Sequence, residues 1–513
     1  MFERRLPFFI CAIVIVMIIA PYLFAVQMNT VDTVFGGFLI NPIDGHSYLA
    51  KMQQGFRGDW RFVLPYTAEA GNGAYLFLFY LGLGHLGRIL GLPLLVVFHV
   101  FRLIGAILLL GVLFVFTDRL FEEKRLKNLA FVICVLGSGL GWLAIFAGMF
   151  TSDFWVAEAY PFLSMYTNPH FSIGLALMIL AFMPDRIPSI FEELTLGLTL
   201  GIIQPFAVAI VVIVKVVKYL LDLVEDVKKD RGDRKVLKTG ALFPLVAFAS
   251  GGGLILVYQY WIIRTDPVLS LWNNQNITVS PNLIDLVISL SPVLILAGVG
   301  VGAAWQKEKG KILVIWALTS LLLIFVPWNL QRRFLTGIYV PLAVLAVYGL
   351  IDLDRHKRLP LRSAVIILIV LIIPTNIIIL VSGIQAAVLT DEKIYHEREI
   401  YSGLDWINEN TAPGDLILAD EEVGLLVPSI TGRRVIYGHP FETVNAEIET
   451  QFLREFMDNN QTDQFYEMNI AEREIDVIFL TNEVSDNLER WIAANGFTVD
   501  YENELVRIFL IGE

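Results

Sequence analysis

Charged residues occupy only 17% of the 513 positions, and cysteine occurs twice, as Cys11 and Cys134. A chain this poor in charge, 56% hydrophobic and with a mean hydropathy of +0.64, is excluded from the soluble and disordered classes and belongs in a bilayer. Two cysteines buried in apolar runs exclude a disulfide-stapled secreted module and offer no metal-ligand spacing. No glycine-rich loop follows any strand-like run, which removes the usual cradle for a nucleotide phosphate. Basic residues are sparse at the C-terminal end: 391–513 hold 8 Lys and Arg against 27 Asp and Glu, whereas 1–390 hold 30 against 23. That acidic tail excludes nucleic acid as a partner, because phosphates would repel it.

What is present is a succession of apolar runs. A bilayer span needs about 20 mostly apolar residues, and eleven stretches qualify or nearly so: about 7–27, 94–117, 128–149, 170–183, 190–203, 204–221, 239–262, 282–304, 311–327, 334–351 and 363–382. Gln204-Pro205 reads as a break between two short spans. With the N-terminus inside, the cytoplasmic loops collect 22 Lys and Arg and the outer loops seven, so the positive-inside bias sets the orientation. That alternation requires 74–92 to lie along the outer surface as an interfacial helix. The first run has no small-residue cleavage site and is expected to remain as a span. The expected fold is a polytopic α-helical membrane protein with about eleven spans and a C-terminal extracytoplasmic α/β domain. Its body covers 1–390, with outer loops at 28–93 and 150–169, and the soluble part covers 391–513.

The tail alternates β-rich runs (415–420, 433–438, 476–480, 497–501, 506–511) with helical patterns near 397–410, 444–458 and 485–495, the rhythm of a partly parallel sheet. Within it Arg433, Arg434, His439 and Glu442 cluster between a strand and a helix; arginines there pair with acidic neighbours or line a ligand loop. Asn276 and Asn460 open N-x-S/T triplets, which matter only where glycosylation machinery exists.

The first outer loop carries NPIDGHSYLAKMQQGFRGDW (41–60). Asn41-Pro42 and Asp44-Gly45 are turn formers, and Tyr48, Met52 and Phe56 recur every four residues, which predicts a short amphipathic helix starting beside Asp44. Asp44 there is either a plain helix cap or a carboxylate kept ionised for chemistry. His46 is either a surface polar residue or a ligand or proton carrier. The second outer loop holds Asp153 and Glu158 and no Lys or Arg; His170 marks the start of the next span, either packing there or lining a pocket. Gln204 either sits at a packed kink or faces a cavity. Arg102 lies inside the second span and should face the bundle interior. Arg332 and Arg333 stand outside against the positive-inside trend, where paired guanidinium groups can grip a lipid phosphate or simply snorkel.

A first span, a long outer loop with an early Asp, the Gly55-x-x-Gly58-Asp59-Trp60 stretch, an interfacial helix, an acidic second loop, a late Arg pair and an outer TGRRVIYGHPFET segment (431–443) together resemble the GT-C superfamily of membrane glycosyltransferases. The resemblance implies an inverting hexosyl- or pentosyltransferase, of mannosyl- or arabinosyltransferase type, in the plasma membrane. It would use a polyprenyl-phosphate sugar as donor and a lipid, glycan or protein as acceptor. It further implies Asp44 as catalytic base, and Asp153 and Glu158 as supporting acids. A divalent metal, Mg or Mn, would sit among Asp44, Asp153 and Glu158, with substrate contacts from His46, Arg102, His170, Gln204, Arg332 and Arg333. Two rival readings stand beside it: a transporter or flippase of lipid-linked precursors, which predicts repeated halves and charges spread through the spans, and an inactive membrane scaffold whose acidic outer part binds a partner.

Overall fold

A computed structural model describes residues 2–229, 239–327, 329–356, 360–458, 461–481 and 486–511. Asn460 lies outside them. The chain divides into two compact units, each assembled from separated stretches: Met1–Pro21, His99–Tyr258 and Thr278–Ile384 in the first, and Tyr22–Phe98, Gln259–Ile277 and Gln385–Glu513 in the second. The stretch 391–513 thus shares its unit with 22–98 and 259–277.

The protein is a multi-pass membrane protein. Among the described residues four helices are long and apolar enough to cross a membrane, Arg5–Gln27, Leu94–Leu120, Leu242–Thr265 and Leu361–Val388, and two bent pairs raise the count to six if each is one span. The pairs are Lys124–Leu136 with Gly141–Ala147, bent by 42°, and Leu283–Leu290 with Val293–Trp305, bent by 78°. These helices do not confirm the expected count of eleven. Several of the remaining runs do form helices, but Pro169–Ala181 has 13 residues and Ile190–Ile203 has 14, too short for a span alone.

Within the first unit, every described element is helical. Ser189 and Glu192 form a reciprocal capping box that starts the Ile190 helix. Gln204 ends it, and Pro205, which has no N–H to donate, opens the next helix at once. Tyr339–Arg355 is buried continuously from Tyr339 to Leu350, as expected of a helix apolar on all sides.

The second unit holds all seven strands found among the described residues. β1 (Thr33–Phe35) pairs antiparallel with β2 (Tyr395–Glu397). β3 (Leu416–Leu418), β4 (Arg434–Val435), β5 (Val477–Thr481), β6 (Tyr501–Glu502) and β7 (Val506–Leu510) form a sheet in the order β4-β3-β5-β7-β6. β3 is parallel to β4 and β5, and β7 is antiparallel to β5 and β6, so the sheet is mixed. Four of the five β-rich runs in the tail hold a strand, and the run 497–501 reaches one, β6, only at Tyr501. Apolar side chains cover both faces. Ile417, Val477 and Phe479 pack with Leu404, Val423 and Val427 on one side, and Leu418, Ile478 and Leu480 pack with Phe456, Tyr466 and Trp491 on the other.

The expected surface helix of the first loop runs from Pro42 to Arg57 and is buried along much of its length, including Gly45, His46, Ser47, Leu49, Lys51, Met52 and Gly55. Of the four-residue stripe, Met52 is fully buried and Tyr48 stacks on Tyr80, whereas Phe56 is exposed. Two glycines explain the burial. A Cβ on Gly55 would run into the Leu81 carbonyl, and one on Gly84 into the Met52 carbonyl. Their absence brings the Pro42 helix and the Leu78–Leu90 helix together backbone to backbone.

Candidate active site

Asp44 sits in the first turn of the Pro42 helix, whose N-cap is Asn41 in the left-handed region at φ 49°. The plain cap reading of Asp44 therefore fails at the level of position, since Asn41 occupies the cap. Pro42 at the next position has its φ preset for a helix, which fixes where the turn begins. The Asn41 side-chain amide donates to Asp44 Oδ2. The carboxylate stays 40% exposed while facing a histidine that is 2% exposed: His439 Nε2 lies 3.6 Å from Asp44 Oδ1.

The backbone decides which nitrogen of His439 carries the proton. The amides of Phe441 and Glu442 donate to His439 Nδ1 at 3.1 and 3.2 Å, so Nδ1 is the acceptor and Nε2 holds the hydrogen, aimed at Asp44. Glu442 closes the arrangement from below. Its Oε1 accepts from Ser47 Oγ at 2.5 Å and from the fully buried Lys51 ammonium at 2.6 Å. Burial pushes the Glu442 carboxyl up, but the charge of Lys51 and the hydrogen bonds from Lys51 and Ser47 overcome it, so it titrates below its ordinary range. Lys51 in turn is enclosed by the rings of Tyr48, Phe62 and Phe77. The outcome is one accessible carboxylate at a helix N-terminus, backed by a histidine N–H and a rigid ion pair, an arrangement able to accept a proton.

His46, two residues beyond Asp44, turns to other partners. Its Nδ1 lies 3.1 Å from Ser429 Oγ, its ring packs against Phe38, and burial together with His396 holds its pKa down at about 3.

In the first unit the remaining candidates fall into separate settings. Asp153 is fully buried and accepts from the Gly141 N–H at 3.0 Å, Thr151 Oγ1 at 2.6 Å and Thr375 Oγ1 at 3.0 Å. Burial raises its pKa and these hydrogen bonds oppose the rise. Glu158 pairs with Arg333 at 3.2 Å, and Arg332 lies over the Trp155 ring, 4.8 Å from its centre. Gln204 Nε2 donates to Thr336 Oγ1 at 3.3 Å, and Thr336 in turn donates to the Arg333 carbonyl. Glu158, Arg333, Thr336 and Gln204 thus form one connected group around the short turn Gln331–Leu335. Arg102 is buried and donates to the Ile18 and Tyr166 carbonyls at 3.0 and 3.2 Å and to His99. His170 packs against Phe171 at the helix start.

No family model matches the sequence, and no curated protein does. Among solved structures the chain is similar to the archaeal oligosaccharyltransferase AglB from Archaeoglobus fulgidus in complex with an inhibitory peptide and a dolichol-phosphate, with a TM-score of 0.50 and 11% identity over 91% of this chain and 69% of that one. The apo form of the Archaeoglobus fulgidus oligosaccharyltransferase also gives 0.50, at 13% identity over 93% and 72%. The chain has the GT-C fold. ArnT from Cupriavidus metallidurans bound to undecaprenyl phosphate aligns over 97% of both chains at 11% identity, with a lower TM-score of 0.44.

On this GT-C fold, sequence reading found Asp44 but not what holds it. His439 and Glu442 stood out only as part of a tail cluster with Arg433 and Arg434. Those two arginines go elsewhere. Arg433 donates to the Asn408, Thr411 and Thr431 carbonyls, and Arg434 to those of Ala68 and Gly414, so the expected pairing of Arg433 and Arg434 with carboxylates is replaced by bonds to backbone oxygen. The one available signal for His439 was its position in a loop after a strand, which names no partner. Among the described residues no three His, Cys, Asp or Glu side chains converge as a metal site, and Asp153 and Glu158 already have donors on their oxygens.

Proposed function

We propose that the protein is a membrane glycosyltransferase that moves a sugar from a polyprenyl-phosphate donor to a lipid, glycan or protein acceptor on the extracytoplasmic side, with inversion. One observation carries this reading: Asp44 is an accessible carboxylate on a helix N-terminus with the His439 N–H behind it. The GT-C fold supports it, and so does the dolichol-phosphate bound to the similarly folded AglB.

In the reaction the acceptor oxygen attacks the anomeric carbon, the bond from that carbon to the phosphate oxygen breaks, and the acceptor proton passes to Asp44 and then to water. Glu442 and Lys51 keep His439 and the Pro42 helix in place, and the Asn41 amide orients the carboxylate. The leaving polyprenyl phosphate gathers negative charge, which a cationic group at its site would meet. We read Asp153 as a brace.

The test is release and transfer of sugar by the purified protein from a radiolabelled panel of polyprenyl-phosphate sugars, with Asp44→Asn in parallel. Turnover in the parent and its loss in a folded variant that still binds donor support the reading. A folded parent that turns over no donor overturns it in favour of transport or scaffolding.

A further inference from the structure

Two imidazoles of the second unit present bare nitrogens to one point. His46 and His396 are buried, 2% and 3% exposed, with ring centres 5.9 Å apart and nearly perpendicular. Ser429, whose Oγ faces His46 Nδ1, donates its own hydrogen to the Leu426 carbonyl at 2.8 Å. That hydroxyl has only lone pairs left for the ring, so His46 carries its proton on Nδ1 and leaves Nε2 bare. His396 Nδ1 lies 2.7 Å from Glu422 Oε1, a carboxylate that can only accept, which again puts the proton on Nδ1. Neither Nε2 has a hydrogen-bond partner.

Both nitrogens converge on Gly36. A Cβ there would stand 3.0 Å from His396 Nε2 and 3.3 Å from His46 Nε2, so the missing side chain leaves a notch between them. Two unsatisfied acceptors facing one buried notch are costly unless something there receives their lone pairs. A ring whose N–H is held by a carboxylate or hydroxyl while its other nitrogen is bare is the form that binds metal.

We propose that His46 and His396 form a two-imidazole seat for a transition-metal ion of the zinc and copper class at the Gly36 notch, with water completing the coordination. Imidazole nitrogen suits these ions. Glu422 supplies negative charge behind His396. With two protein ligands the site exchanges its metal readily, unlike a closed four-ligand structural site. It is distinct from Asp44, which turns to Asn41 and His439.

The experiment uses the purified full-length protein stripped with chelator, then equilibrated by dialysis with ZnCl2 or CuCl2 and assayed for bound metal. Electron paramagnetic resonance of the copper form counts the coordinating nitrogens. One equivalent bound, with two imidazole nitrogens in the spectrum, is expected. Gly36→Ala fills the notch without removing a ligand, and Gly36 has no left-handed φ to strain, so affinity should drop at least tenfold in a folded protein. His396→Gln should remove one nitrogen from the spectrum, and Asp44→Asn should leave binding as in the parent. Absence of a stoichiometric equivalent, or parental affinity in Gly36→Ala and His396→Gln, overturns the proposal and leaves the notch to water.

Discussion

Asp44 and Asp153 look alike in the sequence, each an aspartate in a polar segment between apolar runs, and the two units treat them in opposite ways. Asp153 has no exposure and receives three hydrogen bonds, two on side-chain hydroxyls and one on a backbone amide. Asp44 is 40% exposed and is approached by the Asn41 amide and by a histidine at 3.6 Å. A carboxylate whose lone pairs are all spent holds loops together, whereas one with lone pairs still open to solvent can take a proton. The pair Lys51–Glu442 belongs with Asp153 in this respect: it is buried and connected, and its work is to hold His439 and the helix in position.

The comparison breaks most visibly if both aspartates are changed to asparagine. Asp44→Asn should lower sugar transfer by about 10²–10⁴-fold, the range of general acid–base catalysis, while unfolding changes by no more than about 0.5 kcal/mol. A variant that loses stability as well as activity would place Asp44 with the braces. Glu442→Gln should cost about 3–5 kcal/mol in denaturant unfolding, because the buried Lys51 is left without its counter-charge. Asp153→Asn should cost about 1–3 kcal/mol in the same assay, and any transfer it retains should scale with the folded fraction.

A smaller effect is readable from pH. The folded-state pKa of His46 is depressed from 6.5 to about 3, so the stability it contributes is complete above 6.5 and is lost as pH falls toward 3, when the unfolded chain takes up a proton that the native ring refuses. For the metal-free protein, unfolding free energy should fall by up to about 1.4 kcal/mol per pH unit below 6.5, and His46→Gln should flatten that slope. The depressed Glu442 acts in the same direction but only as pH falls below its unfolded value of about 4.5. An unchanged slope in His46→Gln would mean that another group governs the window.

Legibility followed the range of the interaction. The Gln204-Pro205 break, the Ser189 start and the strand runs of the tail could be read because each depends on a few neighbouring residues: a missing N–H, a capping side chain, a β-branched run. The position of the helix holding Asp44 was legible for the same reason, through Asn41-Pro42. How deeply it would be buried was not legible, because the packing is set by Gly55 meeting Leu81 and Gly84 meeting Met52, residues far apart along the chain. The Glu421–Ile430 helix was not foreseen, though it supplies Ser429 to His46 and Glu422 to His396. The number of spans does not follow from the apolar runs alone, because apolar composition marks burial in protein as readily as burial in lipid, and Tyr339–Leu350 is buried throughout.

By itself the sequence determined that this chain enters a bilayer, that its last stretch is acidic and carries strands, and that Asp44 begins a helix. Those outcomes rest on composition and on contacts within a turn or two. Tertiary structure alone decided that His439 would face Asp44 across 395 residues, that Glu442 would claim Lys51, and that His46 and His396 would meet at Gly36, since a side chain's partner across such a distance is chosen by how strands and helices pack and not by its neighbours in the chain.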